Sequence, residues 1–117
     1  MYLYNTFILL IIEKIMYTII EQERFKKKAD NIWDEQERSA FFSYLASDPL
    51  VGDVIPNSHG LRKVRWQGSG RGKRGGLRII YFNLLDDGVV LLLDLYAKNQ
   101  QENVSQSEIK KIKGGVI

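Results

Sequence analysis

The chain has 117 residues, of which 44% are hydrophobic and 26% charged, so it is long enough for one globular domain with a single core. It contains no cysteine, and its one histidine is His59. These counts exclude a disulfide scaffold, a thiolate metal site, a cysteine nucleophile, a multi-histidine metal site and a two-histidine ribonuclease mechanism. The absence of cysteine fits a reducing cytoplasm.

The net charge of +3 conceals a concentrated basic segment. Residues 62–78 carry seven cations and no acid, whereas the rest of the chain has 10 cations and 14 acids. The seven cations are Arg62, Lys63, Arg65, Arg71, Lys73, Arg74 and Arg78. A basic segment in an otherwise acidic chain indicates a polyanionic partner such as a nucleic acid. The alternative is a solvated basic loop.

The N-terminal segment 2–12 is uncharged and mostly apolar. Eleven residues are too few to span a bilayer, and the segment lacks the basic flank and the cleavage site of a signal peptide. We therefore expect no membrane partner. The favoured interpretation is that residues 1–15 are an extension and residues 16–117 form a single domain that starts near Met16. The alternative is an extra strand or helix that covers the sheet or a partner.

Next in chain order come a strand and two helices. Alternating β-branched residues predict a strand over 16–22. Apolar residues at helical spacing predict helices over 23–33 and 34–47 that form an αα-hairpin, the second one opened by a capping box of Asp34 and Glu37. Asp48-Pro49 ends the second helix, since the residue before proline disfavours the helical conformation. Residues 51–60 are predicted to be a connecting loop.

Three strands and a last helix follow. The predicted strands are 61–66, 77–82 and 89–97, with an Asp-Gly turn signal at 86–88. Ser105 and Glu108 form a second capping box, which opens a short helix over 108–113. The predicted fold class is α+β, with two N-terminal helices and a short C-terminal helix packed on a small, mainly antiparallel twisted sheet.

The glycine-rich stretch "GSGRGKRGG" (68–76) raises the question of a nucleotide site. A Walker A loop would need glycine at 67 and Ser or Thr at 74, but the chain has Gln67 and Arg74. Glycines at 70, 72 and 75 match G-x-G-x-x-G, yet a strand follows them where a dinucleotide site requires a helix. We therefore expect a flexible cationic hairpin tip, whose glycines let the backbone approach a phosphate chain.

Strand alternation predicts where the basic side chains meet. Leu91, Leu93 and Leu95 are expected on one face of the last strand, opposite Asp94 and Tyr96. If the register permits, one face of the sheet gathers Lys63, Arg65, Arg78, Tyr96 and Lys98. Such a set suits a phosphodiester, because cations stabilise charge that develops on phosphoryl oxygens. The alternative is a set of solvent-facing residues on a half-exposed sheet.

The segment "GLRKVRWQGSGRGKRGGLRIIYF" (60–82), followed by "LLLDLYAKN" (91–99), resembles the RelE-like toxins of type II toxin–antitoxin systems, in particular the HigB-type branch of the RelE/ParE superfamily. The resemblance includes the loop "LASDPLVGDVIPNSHG" (45–60) and extends from about Met16 to Ile112. The combined pattern is specific, although no single piece of it is. It implies a RelE-like fold.

The resemblance also implies a function. Such proteins are cytoplasmic, ribosome-dependent mRNA endoribonucleases (mRNA interferases) that inhibit translation. These enzymes are classed as hydrolases, and in their reaction a 2′-OH of the substrate attacks the neighbouring phosphate. The reaction requires no metal and no cofactor. The implied partners are a cognate antitoxin, the ribosome and mRNA. Two alternatives stay open: a non-catalytic RNA-binding relative, and a module of the same fold whose basic face chiefly binds the antitoxin.

The resemblance assigns roles residue by residue. Arg78 would stabilise transition-state charge, and Lys98 would transfer a proton or stabilise the leaving group. Lys63 and Arg65 would contact the phosphate or do base chemistry, and Tyr96 would stack on a base or orient the phosphate. The remaining cations would bind RNA: Arg62, Arg71, Lys73 and Arg74. His59 is expected to be a loop residue rather than a catalyst.

Overall fold

The computed structural model of the protein describes residues 16–67, 76–99 and 103–114. A short strand is followed by two helices, four more strands and a last helix. The strands are β1 (Thr18–Glu21), β2 (Asp53–Val54), β3 (Arg62–Trp66), β4 (Leu77–Leu84) and β5 (Val89–Ala97). The helices are α1 (Glu23–Ile32), α2 (Glu35–Ser47) and α3 (Gln106–Gly114), and a 3-10 turn (Leu85–Asp87) joins β4 to β5.

The five strands form one sheet in the order β1-β5-β4-β3-β2. Only β1 and β5 run parallel, and the other three pairs are antiparallel, which confirms the predicted α+β class. The prediction of a plain loop over 51–60 was wrong, because β2 lies there and pairs Asp53 with Lys63. Two exposed residues carry no alternation from which a strand could be recognised.

Both predicted capping boxes mark true helix starts. The Asp34 carboxylate accepts a hydrogen bond from the Glu37 N–H at 2.8 Å, and the Ser105 hydroxyl accepts one from the Glu108 N–H at 3.1 Å. Each cap satisfies one of the backbone donors that the first turn of a helix leaves unpaired. The starts of α2 and α3 are therefore encoded locally, whereas α1 begins after Gln22 without a side-chain cap. Within the part of the chain that the structure describes, no helix is long and apolar enough to cross a bilayer.

One face of the sheet packs against α1 and α2 and is called here the two-helix face. Phe25 and Phe41 are fully buried against it, together with Ile79 and Leu92 of the central strands. The ring of Phe41 also lies 5.3 Å from that of Trp66 on β3. Each fully buried side chain of this size contributes about 1.5–3 kcal/mol. This aromatic and aliphatic layer is the main core.

The opposite face carries α3 and is called here the basic face. Ile109 and Ile112 of α3 pack on it in a second cluster with Ile80 and Tyr96. The same cluster contains Leu61, Leu91 and Leu93. The sheet is therefore covered on both faces along part of its length, rather than half-exposed.

A β-bulge corrects the predicted faces of β5. The register passes from Ile80↔Asp94 to Tyr81↔Leu92, so Leu93 is an extra residue on β5. An extra residue reverses the alternation beyond it. Leu91 and Leu93 pack on the basic face, while Leu95 lies in the core of the two-helix face, so the prediction that these three leucines share a face was wrong.

Candidate functional site

The central feature of the basic face is a row of three side chains across adjacent strands. Arg65 on β3 is the register partner of Arg78 on β4, which is in turn the partner of Tyr96 on β5. Directly paired residues point to the same face, with Cβ atoms about 4.5–5.5 Å apart. We call Arg65, Arg78 and Tyr96 the basic row. It brings together three of the five residues predicted to converge.

The other two predicted residues lie close to this row in the chain. Lys63 precedes Arg65 by two residues on β3, so it shares the basic face, and its register partner is Ile80. Lys98 follows the end of β5 by one residue, and its backbone N–H donates to the Gly76 carbonyl at 3.1 Å. That bond joins the chain before β4 to the chain after β5 at the end of the sheet that carries the row.

The electrostatics of the row favour an anionic ligand. Two arginines directly opposite each other on neighbouring strands repel, and like charges in this position destabilise a sheet. Arg78 is in addition only 5% exposed, and its Nη1 donates to the Leu77 carbonyl at 3.4 Å. Arg65 is exposed. A phosphate bound between the two guanidinium groups would replace their mutual repulsion with attraction of both groups to the phosphate.

The surroundings of Tyr96 do not suit the predicted role in which its ring stacks on a base. Its side chain is 4% exposed and lies in the cluster with Ile109 and Ile112 of α3. A ring so enclosed does not offer its face to a base in this conformation. The other expected role, in which Tyr96 orients the phosphate, stays a prediction.

Arg62 lies on the two-helix face and is not brought together with the basic row. It pairs with Tyr81, and its Nη1 donates to the Gly52 carbonyl at 2.6 Å and to the Leu50 carbonyl at 3.3 Å. The Tyr81 hydroxyl holds the same loop, since it donates to the Pro49 carbonyl and accepts from the Gly52 N–H. Arg62 therefore fixes the segment before β2.

Gly52 and Tyr81 are fitted closely in this loop. A Cβ on Gly52 would lie 2.8 Å from both the Tyr81 hydroxyl and the Lys63 carbonyl, so a larger residue would displace the loop. Burial raises the pKa of Tyr81 above its ordinary value, although the hydrogen bond from Gly52 opposes that shift. The neutral hydroxyl is the form that this hydrogen-bonded site holds.

The other predicted residues are placed as follows. Arg71, Lys73 and Arg74 lie at positions 68–75, outside the described residues. His59 is exposed in the loop before β3, in the left-handed conformation with φ 59°. Within residues 16–67, 76–99 and 103–114, no three histidine, aspartate or glutamate side chains are grouped so that they could hold a metal ion.

Asp94 is a residue of this region to which the sequence analysis gave no role. Its side chain is 2% exposed, and it receives the Lys28 ammonium at 2.7 Å and the Arg24 guanidinium at 3.1 Å, both from α1. Arg24 also lies 3.7 Å from Glu108 of α3. This network ties β5, two residues before Tyr96, to both α1 and α3. Its signal in the sequence is a lone acid inside the apolar strand "VVLLLDLYA".

The fold was compared with known proteins. No protein-family model matches the sequence. Among solved structures, the chain is similar to an E. coli toxin RelE in the free state, in which two arginines are replaced by alanine. The TM-score is 0.59, the sequences are 12% identical, and the match covers 87% of this chain and 99% of that chain. The chain has the RelE fold.

This likeness confirms the predicted RelE-like fold and extends over most of the described residues. At 12% identity it concerns the fold alone. The HigB-type branch, the activity and the residue roles stay predictions from the sequence resemblance.

Proposed function

We propose that the protein is the toxin of a type II toxin–antitoxin system and cleaves mRNA on the ribosome as an endoribonuclease of the HigB type. The observation that carries the proposal is the basic row on a RelE fold, with Arg65 and Arg78 side by side on adjacent strands. A phosphodiester suits two such guanidinium groups, because each matches phosphate oxygens in bidentate geometry.

The proposed reaction is internal transfer within the RNA. The 2′-oxygen forms a bond to the adjacent phosphorus as its proton leaves, and the bond to the 5′-oxygen of the next nucleotide breaks as that oxygen gains a proton. Arg78 stabilises the charge that develops on the phosphoryl oxygens. Lys63 and Arg65 hold the phosphate in line, Lys98 serves the leaving oxygen, and Tyr96 positions the row.

The burial of Arg78 gives a physical reason for dependence on the ribosome. With 5% of the residue exposed, a phosphate reaches its guanidinium only after neighbouring groups shift. In the proposal, docking on the ribosome supplies that shift and aligns the mRNA. The protein partner is a cognate antitoxin that carries acidic groups to the basic face and competes with RNA for it.

The test is in-vitro translation with purified protein, followed by primer extension on the mRNA. We expect cuts within translated codons for the wild type. Arg78→Met keeps the side-chain volume and removes the charge, and it is expected to lower the cleavage rate by about 10²–10³-fold, the usual cost of losing one preorganised donor to a developing oxyanion. Lys98→Ala is expected to lower the rate as well.

The matched control is Lys27→Ala, which removes an exposed cation from α1. It should cleave like the wild type, so that a loss in Arg78→Met does not reflect net charge. Circular dichroism and thermal unfolding establish that each variant is folded. A folded wild type that leaves translated mRNA intact would refute the proposal, and undiminished cleavage by Arg78→Met would remove Arg78 from the site.

A further inference from the structure

A cavity of about 440 Å³ lies on the basic face next to Lys63. Its walls come from three places: the segment from β2 to Asn57, the middle of β3, and the start of α3 with the residues before it. The polar groups that line it are the side chains of Asp53, Asn57, Lys63, Asn103 and Gln106. Apart from Lys63, the residues that line this cavity have no role in the proposed reaction.

The chemistry of the walls separates the cavity from the phosphate site. Ile55, Pro56 and Val104 supply apolar surface, and three side-chain amides lie among them. Among the described lining residues, one lysine and one aspartate balance in charge, whereas a phosphate or an acidic peptide would require an excess of cations. A carboxamide carries donors and an acceptor together, which is the pattern that reads the edge of a nucleobase.

The cavity is held in place relative to the basic row. Lys63 and Arg65 share one face of β3 and are separated by about 7 Å, two strand residues, which is comparable to one nucleotide of an extended RNA. The Lys63 ammonium donates to the Asn103 side-chain oxygen at 3.3 Å, so the strand is joined to the segment before α3.

The opposite wall is fixed by its backbone. Asn57 takes the left-handed conformation with φ 60°, which asparagine tolerates better than most residues. The buried hydroxyl of Ser58 accepts from the Leu61 N–H at 3.1 Å and donates to the Ile55 carbonyl at 2.6 Å. The hydrogen bonds of Ser58 therefore hold the turn that contains Asn57.

We propose that this cavity binds the base of a nucleotide next to the scissile phosphate, and that Asn57, Asn103 and Gln106 set the nucleotide preference of cleavage. The inference rests on the proposed function, because it takes the basic row as the phosphate site. The apolar walls enclose the base, the amides read its edge, and Lys63 lies between base and phosphate.

The first test measures binding without cleavage. Side-chain amide resonances of the protein are followed by NMR during titration with each of the four nucleoside 5′-monophosphates and with ribose 5-phosphate. We expect the resonances of Asn57, Asn103 and Gln106 to shift with at least one nucleotide and not with ribose 5-phosphate. Asn57→Ala and Gln106→Ala should each weaken the binding of that nucleotide by about five- to 150-fold, the range for one lost amide–base pairing.

Gln36→Ala is the matched control, since Gln36 is an exposed amide on α2. It should bind nucleotides as the wild type does. Equal responses to nucleotides and ribose 5-phosphate, or no response at the cavity, would overturn the proposal. A parallel titration with a cognate antitoxin that shifts these resonances, when no nucleotide does, would assign the cavity to that partner and would overturn the proposal too.

The second test reads cleavage positions in translated mRNA by sequencing the RNA ends. Asn57→Ala and Gln106→Ala are expected to change the relative use of bases at one codon position about fivefold or more, while Gln36→Ala keeps the wild-type profile. An unchanged profile in an active enzyme refutes the base pocket and leaves the nuclease intact. Base-dependent binding by a protein that never cleaves supports the pocket and refutes the nuclease.

Discussion

The two faces of the sheet bury different kinds of side chain. The two-helix face encloses aromatic and aliphatic groups such as Phe25, Phe41 and Ile79, whose burial stabilises the fold directly. The basic face encloses Arg78 and Tyr96 beside the isoleucines of α3. Arg78 is 5% exposed and is the register partner of Arg65, and like charges directly opposite each other destabilise a sheet. The difference teaches that the two-helix face is the main source of stability, and that the basic face is the one on which the proposed ligand site lies.

The same division appears within the basic segment itself. Arg62 and Arg65 are three residues apart on β3, and they point to opposite faces because strand side chains alternate. Arg62 donates to the carbonyls of the loop before β2, whereas Arg65 is exposed in the basic row. Charge counts alone do not separate a cation that supports the fold from one that meets a ligand, but strand position does.

The largest expected effect on stability comes from the two-helix face. Phe41→Ala removes a fully buried ring that contacts Trp33 and Trp66, and it should lower the free energy of unfolding by about 3–5 kcal/mol. Urea unfolding followed by fluorescence measures this change. Tyr44→Ala, at a half-exposed position on the same helix, should cost much less, and equal losses in the two variants would contradict the assignment of this face as the main core.

A smaller effect is expected where α1, β5 and α3 are tied together. Asp94→Ala leaves two cations of α1 without their shared carboxylate and should cost about 2–3 kcal/mol, the range for hydrogen bonds to a buried charged group. Hydrogen exchange should also accelerate in α3, since Arg24 joins Asp94 to Glu108. Asp86→Ala in the exposed turn is the control. Equal stability and equal hydrogen exchange in the two variants would show that the Asp94 network does not stabilise the fold.

The smallest expected effect concerns the loop that Arg62 and Tyr81 hold. Tyr81→Phe removes hydrogen bonds to Pro49 and Gly52 and should cost about 1 kcal/mol near neutral pH. The pKa of Tyr81 is raised in the folded state, so the unfolded chain loses this proton first as the pH rises. The wild type should therefore lose stability above about pH 10, and the difference from Tyr81→Phe should shrink there. A difference that grows with pH would contradict the raised pKa.

Local signals explain what could be predicted from the sequence. The helix starts at Asp34 and Ser105 depend on contacts within one turn, and the long strands carry continuous apolar patterns. The basic row was also predictable, because the side chains of each strand alternate regularly in this part of the sheet. The direct pairing of Arg65 with Arg78 and of Arg78 with Tyr96 then places the three on one face. The bulge at Leu93 lies farther along β5 and does not disturb the row.

Features that depend on distant partners were not predictable. The strand β2 exists because β3 pairs with it, and its two residues carry no pattern of their own. The bulge that sends Leu95 to the two-helix face is set by the register with β4. Arg62 and Asp94 bind groups that lie elsewhere in the chain, so neither residue reveals its partner in the sequence.

The most direct test of the account compares Arg62→Ala with Arg65→Ala in the same two measurements, mRNA cleavage per folded molecule and free energy of unfolding. We predict that Arg65→Ala lowers cleavage by about 10-fold or more and changes stability by less than about 0.5 kcal/mol. Arg62→Ala is predicted to lower stability by about 1–3 kcal/mol and to leave cleavage per folded molecule nearly unchanged. Equal loss of cleavage in both variants, or full activity of Arg65→Ala, would contradict the assignment of the basic face as the working site.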